Sequence, residues 1–330
     1  MNTRNAAVTF VLAWYAAMAG DGRAAEPQAS RWPVKPVRMV VPFPPGGSTD
    51  IVARILAPSL SEALGQQFIV DNRSGAAGNI ALDIVAHAQP DGHTTLIGNV
   101  STNSINETLF TSSLKIKPSR DLIGVTLVAS SPNVLVSGSV LPPNNLKELI
   151  AYLKSRPGQV NFTSPLGSQS HLDTLDFLGK AGLQMPNVPT RGIGQALASI
   201  IAGDIHISIQ SAASAIGQIK GGKLKAYATT APKRLPELPE VPTFAEEGMR
   251  GVGNDQWTGL FVPAATPRAV IDRLHASLLQ VMQRQDVRDL YNRSAIPMAT
   301  SRSPEEFNRF VQAEIVKWAK IIKDKNVTVE

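Results

Sequence analysis

The 330-residue sequence has no cysteine, which excludes disulfides, thiolate metal sites and cysteine nucleophiles together. Aromatic residues are only 5% of the chain. Lys and Arg number 32 against 26 Asp and Glu, with no polybasic run. The basic stripe interleaved with aromatics that a nucleic-acid binder uses is therefore missing, and no nucleic acid is expected as a partner. The five histidines (His87, His93, His171, His206, His275) form no H-E-x-x-H and no paired spacing with carboxylates, so no metal is expected. Neither G-x-x-x-x-G-K-[ST] nor a strand-borne G-x-G-x-x-G occurs, and no cofactor is expected. The nucleophile elbow G-x-S-x-G is absent as well, which argues against a hydrolase. What is present is apolar mass: 43% hydrophobic and 18% charged residues exclude disorder, collagen and coiled coil. The length suits about two domains.

Residues 1–25 read as an address and not as part of the fold. Arg4 supplies a short charged region, and Ala6 to Ala19 is uncharged and mostly apolar. Small-residue sites follow at Ala17-Met18-Ala19 and Gly22-Arg23-Ala24. An apolar core of about 14 residues is too short to span a membrane and suits a secretory signal peptide. The mature chain has no run of about 18 apolar residues and is expected to be soluble outside the cytoplasm.

Short β-branched runs alternate with helical patterns along most of the chain. Strands are predicted at Val37–Phe43, Gln67–Val70, Thr94–Gly98, Val125–Ala129, Asn133–Val136, Val160–Thr163, Ile205–Ile209 and Leu224–Thr229. Ile51, Ile55, Leu56, Leu60 and Leu64 recur at helical spacing, as do Leu146, Leu149, Ile150 and Leu153. Such alternation predicts an α/β protein with parallel sheets and helices on both faces. Two helices close the chain. One starts at Thr266-Pro267, the other at the capping box Ser303-Pro304-Glu305-Glu306, with Phe307, Phe310, Val311, Ile315, Trp318 and Ile322 as its buried face. Pro232, Pro236, Pro239 and Pro242 make Ala231–Gly248 a surface passage, a place where the chain can return between domains.

One pattern occurs twice and carries chemistry. The strand ending at Phe43 runs into Pro44-Pro45-Gly46-Gly47-Ser48-Thr49-Asp50, and a helix begins at once. The strand ending at Ser164 runs into Pro165-Leu166-Gly167-Ser168-Gln169-Ser170, and again a helix follows. The first N–H groups of a helix lack partners and carry its positive dipole end. Adjacent hydroxyls add donors, and glycine allows close approach, so such a junction binds an anion without a charged side chain. Ser48 and Ser168 also fit plain helix caps. A third strand end, Leu96 to Asn103 with Thr102, offers more groups of this kind. Asp50 suits a cap or an acceptor for a ligand N–H or a bridging water. Arg191, in a strand-like run breaking into a turn, suits a carboxylate clamp or a local surface pair. Ser170-His171 invites a nucleophile-and-base reading, although adjacent residues at a helix start point in different directions.

At these residues the sequence resembles the substrate-binding proteins of tripartite tricarboxylate transporters, the Bordetella uptake (Bug) family. The resemblance spans about residues 32–330. It rests on Trp32-Pro33-Val34-Lys35-Pro36, Val41 to Asp50, Asn72-Arg73-Ser74-Gly75-Ala76-Ala77-Gly78-Asn79-Ile80, Pro90-Asp91-Gly92, Ala231-Pro232-Lys233-Arg234 and Leu238-Pro239-Glu240-Val241-Pro242-Thr243. It implies a two-lobed periplasmic-binding-protein fold of type II-like form, with a discontinuous first domain at 28–128 plus 251–330 and a second at 129–250. It further implies a periplasmic, non-enzymatic, monomeric protein that closes about a hinge on a small organic carboxylate. Such a protein delivers its ligand to membrane permease subunits or, in some relatives, signals to a sensor kinase. The site residues so implied are Phe43, Gly47, Ser48, Thr49, Asp50, Thr102, Ser164, Ser168, Ser170, Arg191, His206 and Gln210. The sequence departs from the family pattern at Thr190, where tyrosine is common, at His206, where aspartate is usual, and at Gln210-Ser211, in place of Asp-Asn. A protonated His206 would favour a second negative group, and a neutral one would be a hydrogen-bonding core residue. A secreted hydrolase using Ser170 or Ser48 is the alternative from another class, and would need a carboxylate-supported histidine at either hydroxyl.

Overall fold

Val37–Val41 is buried except at Arg38, which explains an apolar run broken at that one position in place of a regular alternation. The computed structural model, which describes residues 32–190, 193–254 and 256–329, makes this run the strand β1. The leader at 1–25 lies outside the described residues. β1 pairs in parallel with β2 (Phe68–Asn72) and with β3 (Thr94–Asn99). Helices α1 (Ser48–Leu64) and α2 (Asn79–Ala86) make the two crossovers. To this extent the predicted parallel sheet is present.

Elsewhere the pairing between full strands is antiparallel, for a topological reason. β4 (Leu122–Ser131) and β5 (Asn133–Gly138) are separated only by Pro132. Proline has no N–H for a ladder, so the extended chain leaves one sheet there and enters another without reversing. It comes back as β8 (Gln256–Pro263), which runs against β4 and β3 and completes the order β2-β1-β3-β8-β4. In the second sheet, β6 (Ser208–Ser211) and β7 (Leu224–Thr229) share a direction, but the incoming β5 lies between them and pairs antiparallel with both. The predicted strand at Val160–Thr163 is reduced to single bridges from Phe162 to Asn187 and Ile207.

These two sheets, each flanked by helices, are the frames of two lobes. The remaining helices of eight residues or more among the described residues are α3 (Leu146–Lys154), α4 (Gln169–Ala181), α5 (Ile193–Ala202), α6 (Ala212–Lys220), α7 (Arg268–Gln283), α8 (Gln285–Arg293) and α9 (Pro304–Asp324). α9 packs on the first sheet and buries Phe307, Val311, Trp318 and Ile322, as their spacing predicts. Its cap is the predicted one, with the Ser303 hydroxyl accepting from the Glu306 N–H at 3.2 Å. Phe310 stays partly exposed and sets its ring edge-on to Trp257.

The proline-rich passage corrects its expectation. Ala231, Leu235, Leu238, Val241 and Phe244 are all buried in the second lobe. Consecutive turns closed by Leu238 N–H to Leu235 O and Val241 N–H to Leu238 O, both 3.0 Å, bring every third residue inward. Prolines fill the outward positions between them. Among the described residues, no helix is long and apolar enough to cross a membrane.

Candidate functional site

The loop after β1 must turn sharply into α1, and Gly46 does so in the left-handed region at φ 91°. Gly47 then caps α1 without a side-chain acceptor, so the first N–H groups of the helix are free of any local cap. Asp50, which is buried, holds this loop from behind. Its carboxylate accepts from the Gly46 N–H at 2.9 Å, from Asn72 Nδ2 at 2.9 Å and from Arg54 Nε at 3.0 Å. Burial alone would raise its pKa, but the bonds from Arg54, Gly46 and Asn72 outweigh that and hold the carboxyl below its ordinary value.

The corresponding loop of the second lobe turns at Gly167, φ 73°, into α4. Here Ser168 does cap, its hydroxyl accepting the His171 N–H at 3.2 Å, and the Ser170 hydroxyl lies 2.9 Å from it. Two more helices start beside these. α5 begins at Ile193, and α6 begins directly after β6, with Ser211 as a cap residue that makes no capping bond. At the end of β3, Asn99 Oδ1 accepts the N–H groups of Ser101 and Thr102 at 3.0 and 3.2 Å and shapes a further turn.

All of these termini face one cavity of about 140 Å³. Gly47, Ser48 and Thr49 line it from α1, Ser168, Gln169 and Ser170 from α4, Ile193 and Ala196 from α5, and Ser211 and Ser214 from α6. Phe43, Pro44 and Pro165 add apolar surface, while Asn99, Ser101, Asn133, Thr190, Gln210 and Gln256 add neutral polar groups. None of the described lining residues is charged. The lobes meet on either side of the cavity: the Ser214 hydroxyl donates to Gly46 O at 3.2 Å, and the Gln169 N–H donates to Ser101 Oγ at 3.2 Å. Four positive dipole ends around a small, uncharged space form a field for a negative group. Two larger depressions, about 490 and 700 Å³, are open grooves beside α7 and α9 and have no such arrangement.

A family model described as the tripartite tricarboxylate transporter family receptor matches residues 52–327. The chain belongs to that family. It is 34% identical over 309 residues to protein BugT of Bordetella pertussis, covering 93% of this chain and 94% of that one. Two solved structures are close to this receptor in fold. Rpa4515 of R. palustris with adipate has a TM-score of 0.86 at 32% identity, covering 90% of this chain and 99% of that one. MatC of Rhodopseudomonas palustris with bound malate has a TM-score of 0.82 at 33% identity, covering 88% and 100%. The receptor is therefore a solute-binding protein and not an enzyme. At the start of α4, His171 Nδ1 accepts the Gly167 N–H at 3.2 Å, and the Ser170 and Ser168 hydroxyls are bonded to each other.

Of the residues singled out in the sequence, Phe43, Gly47, Ser48, Thr49, Ser168, Ser170 and Gln210 line the receptor's cavity. Four others do not. Asp50 turns away to brace the loop. Thr102 is buried within its own turn, its hydroxyl bonded to Asn99 and Asn103. Ser164 is held on Asn187 by both its backbone groups. His206 is half-buried and bonded to Asn161 at 2.9 Å, and burial lowers its pKa. Arg191 lies outside the described residues. The junction at Ser211 escapes the sequence pattern because no glycine marks it. Asn133 and Gln256 escape because they are ordinary strand starts until both crossings between the lobes are placed in space.

Proposed function

We propose that the protein is a periplasmic receptor that closes two lobes on a small organic carboxylate and delivers it to the permease subunits of a tripartite tricarboxylate transporter. The observation that carries this is the convergence of four helix N-termini, two of them without a side-chain cap, on one uncharged cavity. The adipate and malate bound to two relatives supply the ligand class. Ser48, Thr49 and Ser170, with their own N–H groups, hold carboxylate oxygens, Ser168 caps α4 beside them, and Phe43 covers the apolar part. The lobes hinge at Pro132 and just before Gln256, so the first comprises 33–131 plus 256–329 and the second 133–254. Calorimetry against dicarboxylates, tricarboxylates, amino acids and aromatic acids is the direct test, and a panel in which nothing binds would overturn the reading.

A charge placed at the site separates binding from folding. Ser48→Glu sets a carboxylate in the first turn of α1, where it suits the helix dipole and leaves folding intact. The same carboxylate occupies the anion position, so affinity for the ligand is expected to fall about 100-fold or more. Equal affinity in this variant would place the ligand elsewhere.

A further inference from the structure

Behind the cavity lies a carboxyl group that ligand holding does not use. Asp173, on the second turn of α4, is 2% exposed. Asn133 Nδ2 lies 3.3 Å from its Oδ2, and Asn254 Nδ2 lies 3.4 Å from its Oδ1. Asn133 is the first residue after Pro132 and itself lines the cavity. Asn254 stands just before the chain returns to the first lobe, and its carbonyl accepts from Gln169 Nε2, a cavity residue, at 2.5 Å. Asp173 therefore joins the two crossings between the lobes, one side chain behind the place where the ligand's negative charge sits. Its named partners on both crossings are neutral amides.

We propose that Asp173 is the proton-carrying positioning residue of the binding reaction: an anionic ligand enters together with one proton, which resides on the Asp173 carboxyl in the loaded state. The proposal rests on the carboxylate-binding reading above. Its balance is simple. Ligand anion plus ionised Asp173 plus one solvent proton gives bound anion plus neutral Asp173, and no other bond changes. Like charges one side chain apart inside a protein repel strongly, and a proton removes the repulsion. The neutral acid can also donate, through its O–H, to one of the two amide oxygens, so the bridge between the crossings survives. Burial already pushes Asp173 up to about 7, so this exchange falls in an accessible range.

Other groups near Asp173 do not supply the same proton. Asp176, further along α4, is the charged neighbour acting on it among the described residues, and it is paired with Lys180 and Lys325 at 3.3 and 2.7 Å. β5 and the segment ending at Asn254 present amides. His171, two residues before Asp173, has its pKa lowered by burial and titrates below neutrality.

The test is calorimetric titration of the whole mature protein with malate and with adipate from pH 6.5 to 9.0, in buffers of differing ionisation enthalpy. Both acids stay ionised across this range. Dissociation constants are expected to rise about 40-fold or more across it, with a limiting slope of tenfold per pH unit, and proton uptake should approach one per ligand near pH 8. Asp173→Asn, which keeps the shape and hydrogen bonding of the neutral acid, should show a flat profile at the affinity of the low-pH protein. His171→Gln should keep the slope. Binding with a flat profile and no proton uptake in the unaltered protein would overturn the proposal whether or not Asp173→Asn folds. A slope that survives in Asp173→Asn or vanishes in His171→Gln would overturn it as well. Failure of both acids to bind at any pH would overturn the carboxylate reading along with it.

Discussion

Asp50→Ala is expected to weaken ligand binding at least 100-fold and to lower the melting temperature by roughly 6–12 °C. The substitution removes the shared acceptor of three donors at once: the Gly46 N–H, Asn72 Nδ2 and the Arg54 guanidinium. Losing a buried carboxylate that accepts three hydrogen bonds, one of them from a charged donor, costs up to about 3 kcal/mol. It also removes a negative charge from the first turn of α1. The binding loss follows because Asp50 is the brace that keeps Gly46 in its left-handed turn and aims the α1 terminus into the cavity. The same bonds set a pH dependence. The folded pKa of Asp50 lies below its unfolded value, so its contribution is fully present above the unfolded pKa and is lost as pH falls through the folded one. Thermal unfolding of the two proteins, compared at pH 7 and pH 3, measures this directly: the gap between them should narrow in acid. A variant that binds normally would show that the loop keeps its shape without the brace.

The second large effect has the opposite sign. Asp173→Asn is expected to stabilise the protein at pH 8 by as much as roughly 4 kcal/mol, and to leave it nearly unchanged at pH 4. The folded pKa of Asp173, about 7, lies above its ordinary value of 3.8, because burial disfavours the carboxylate more than the Asn254 and Asn133 amides favour it. Between those values the folded state holds more protons than the unfolded one, so stability falls as pH rises through this window and stays low above it. An asparagine has no charge to desolvate. Urea unfolding at the two pH values checks the claim. Equal destabilisation at both would mean that the two amide contacts outweigh the burial of the charge.

Together these two aspartates show how far sequence reasoning reaches. Asp50 sits in a recognisable strand–loop–helix junction, and its place at the start of a helix is plain from Gly46-Gly47-Ser48-Thr49. That its carboxylate turns backwards is not plain, because Asn72 comes from β2 and meets it only once the parallel pair β1–β2 has formed. Asp173 gives no signal at all. It is one polar residue in an ordinary amphipathic helix until Asn133 and Asn254, at the two ends of the second lobe's chain segment, close over it. Thr102, Ser164 and His206 were plausible ligand contacts by type and position; the side chains of Thr102 and His206 are taken instead by Asn99 and Asn103 and by Asn161, and Asn187 holds the Ser164 backbone away from the cavity lining.

The linear chain alone determined the class of fold, the periodic helices, the two glycine-marked strand–helix junctions and the absence of metal-binding or nucleotide motifs, because these depend on local backbone preference and residue chemistry. Tertiary structure decided the rest: the antiparallel return of β8, the four termini gathered on one cavity, and the buried carboxyl behind it. Those depend on where the chain crosses between lobes, and a crossing brings together residues whose separation in sequence carries no trace of their contact.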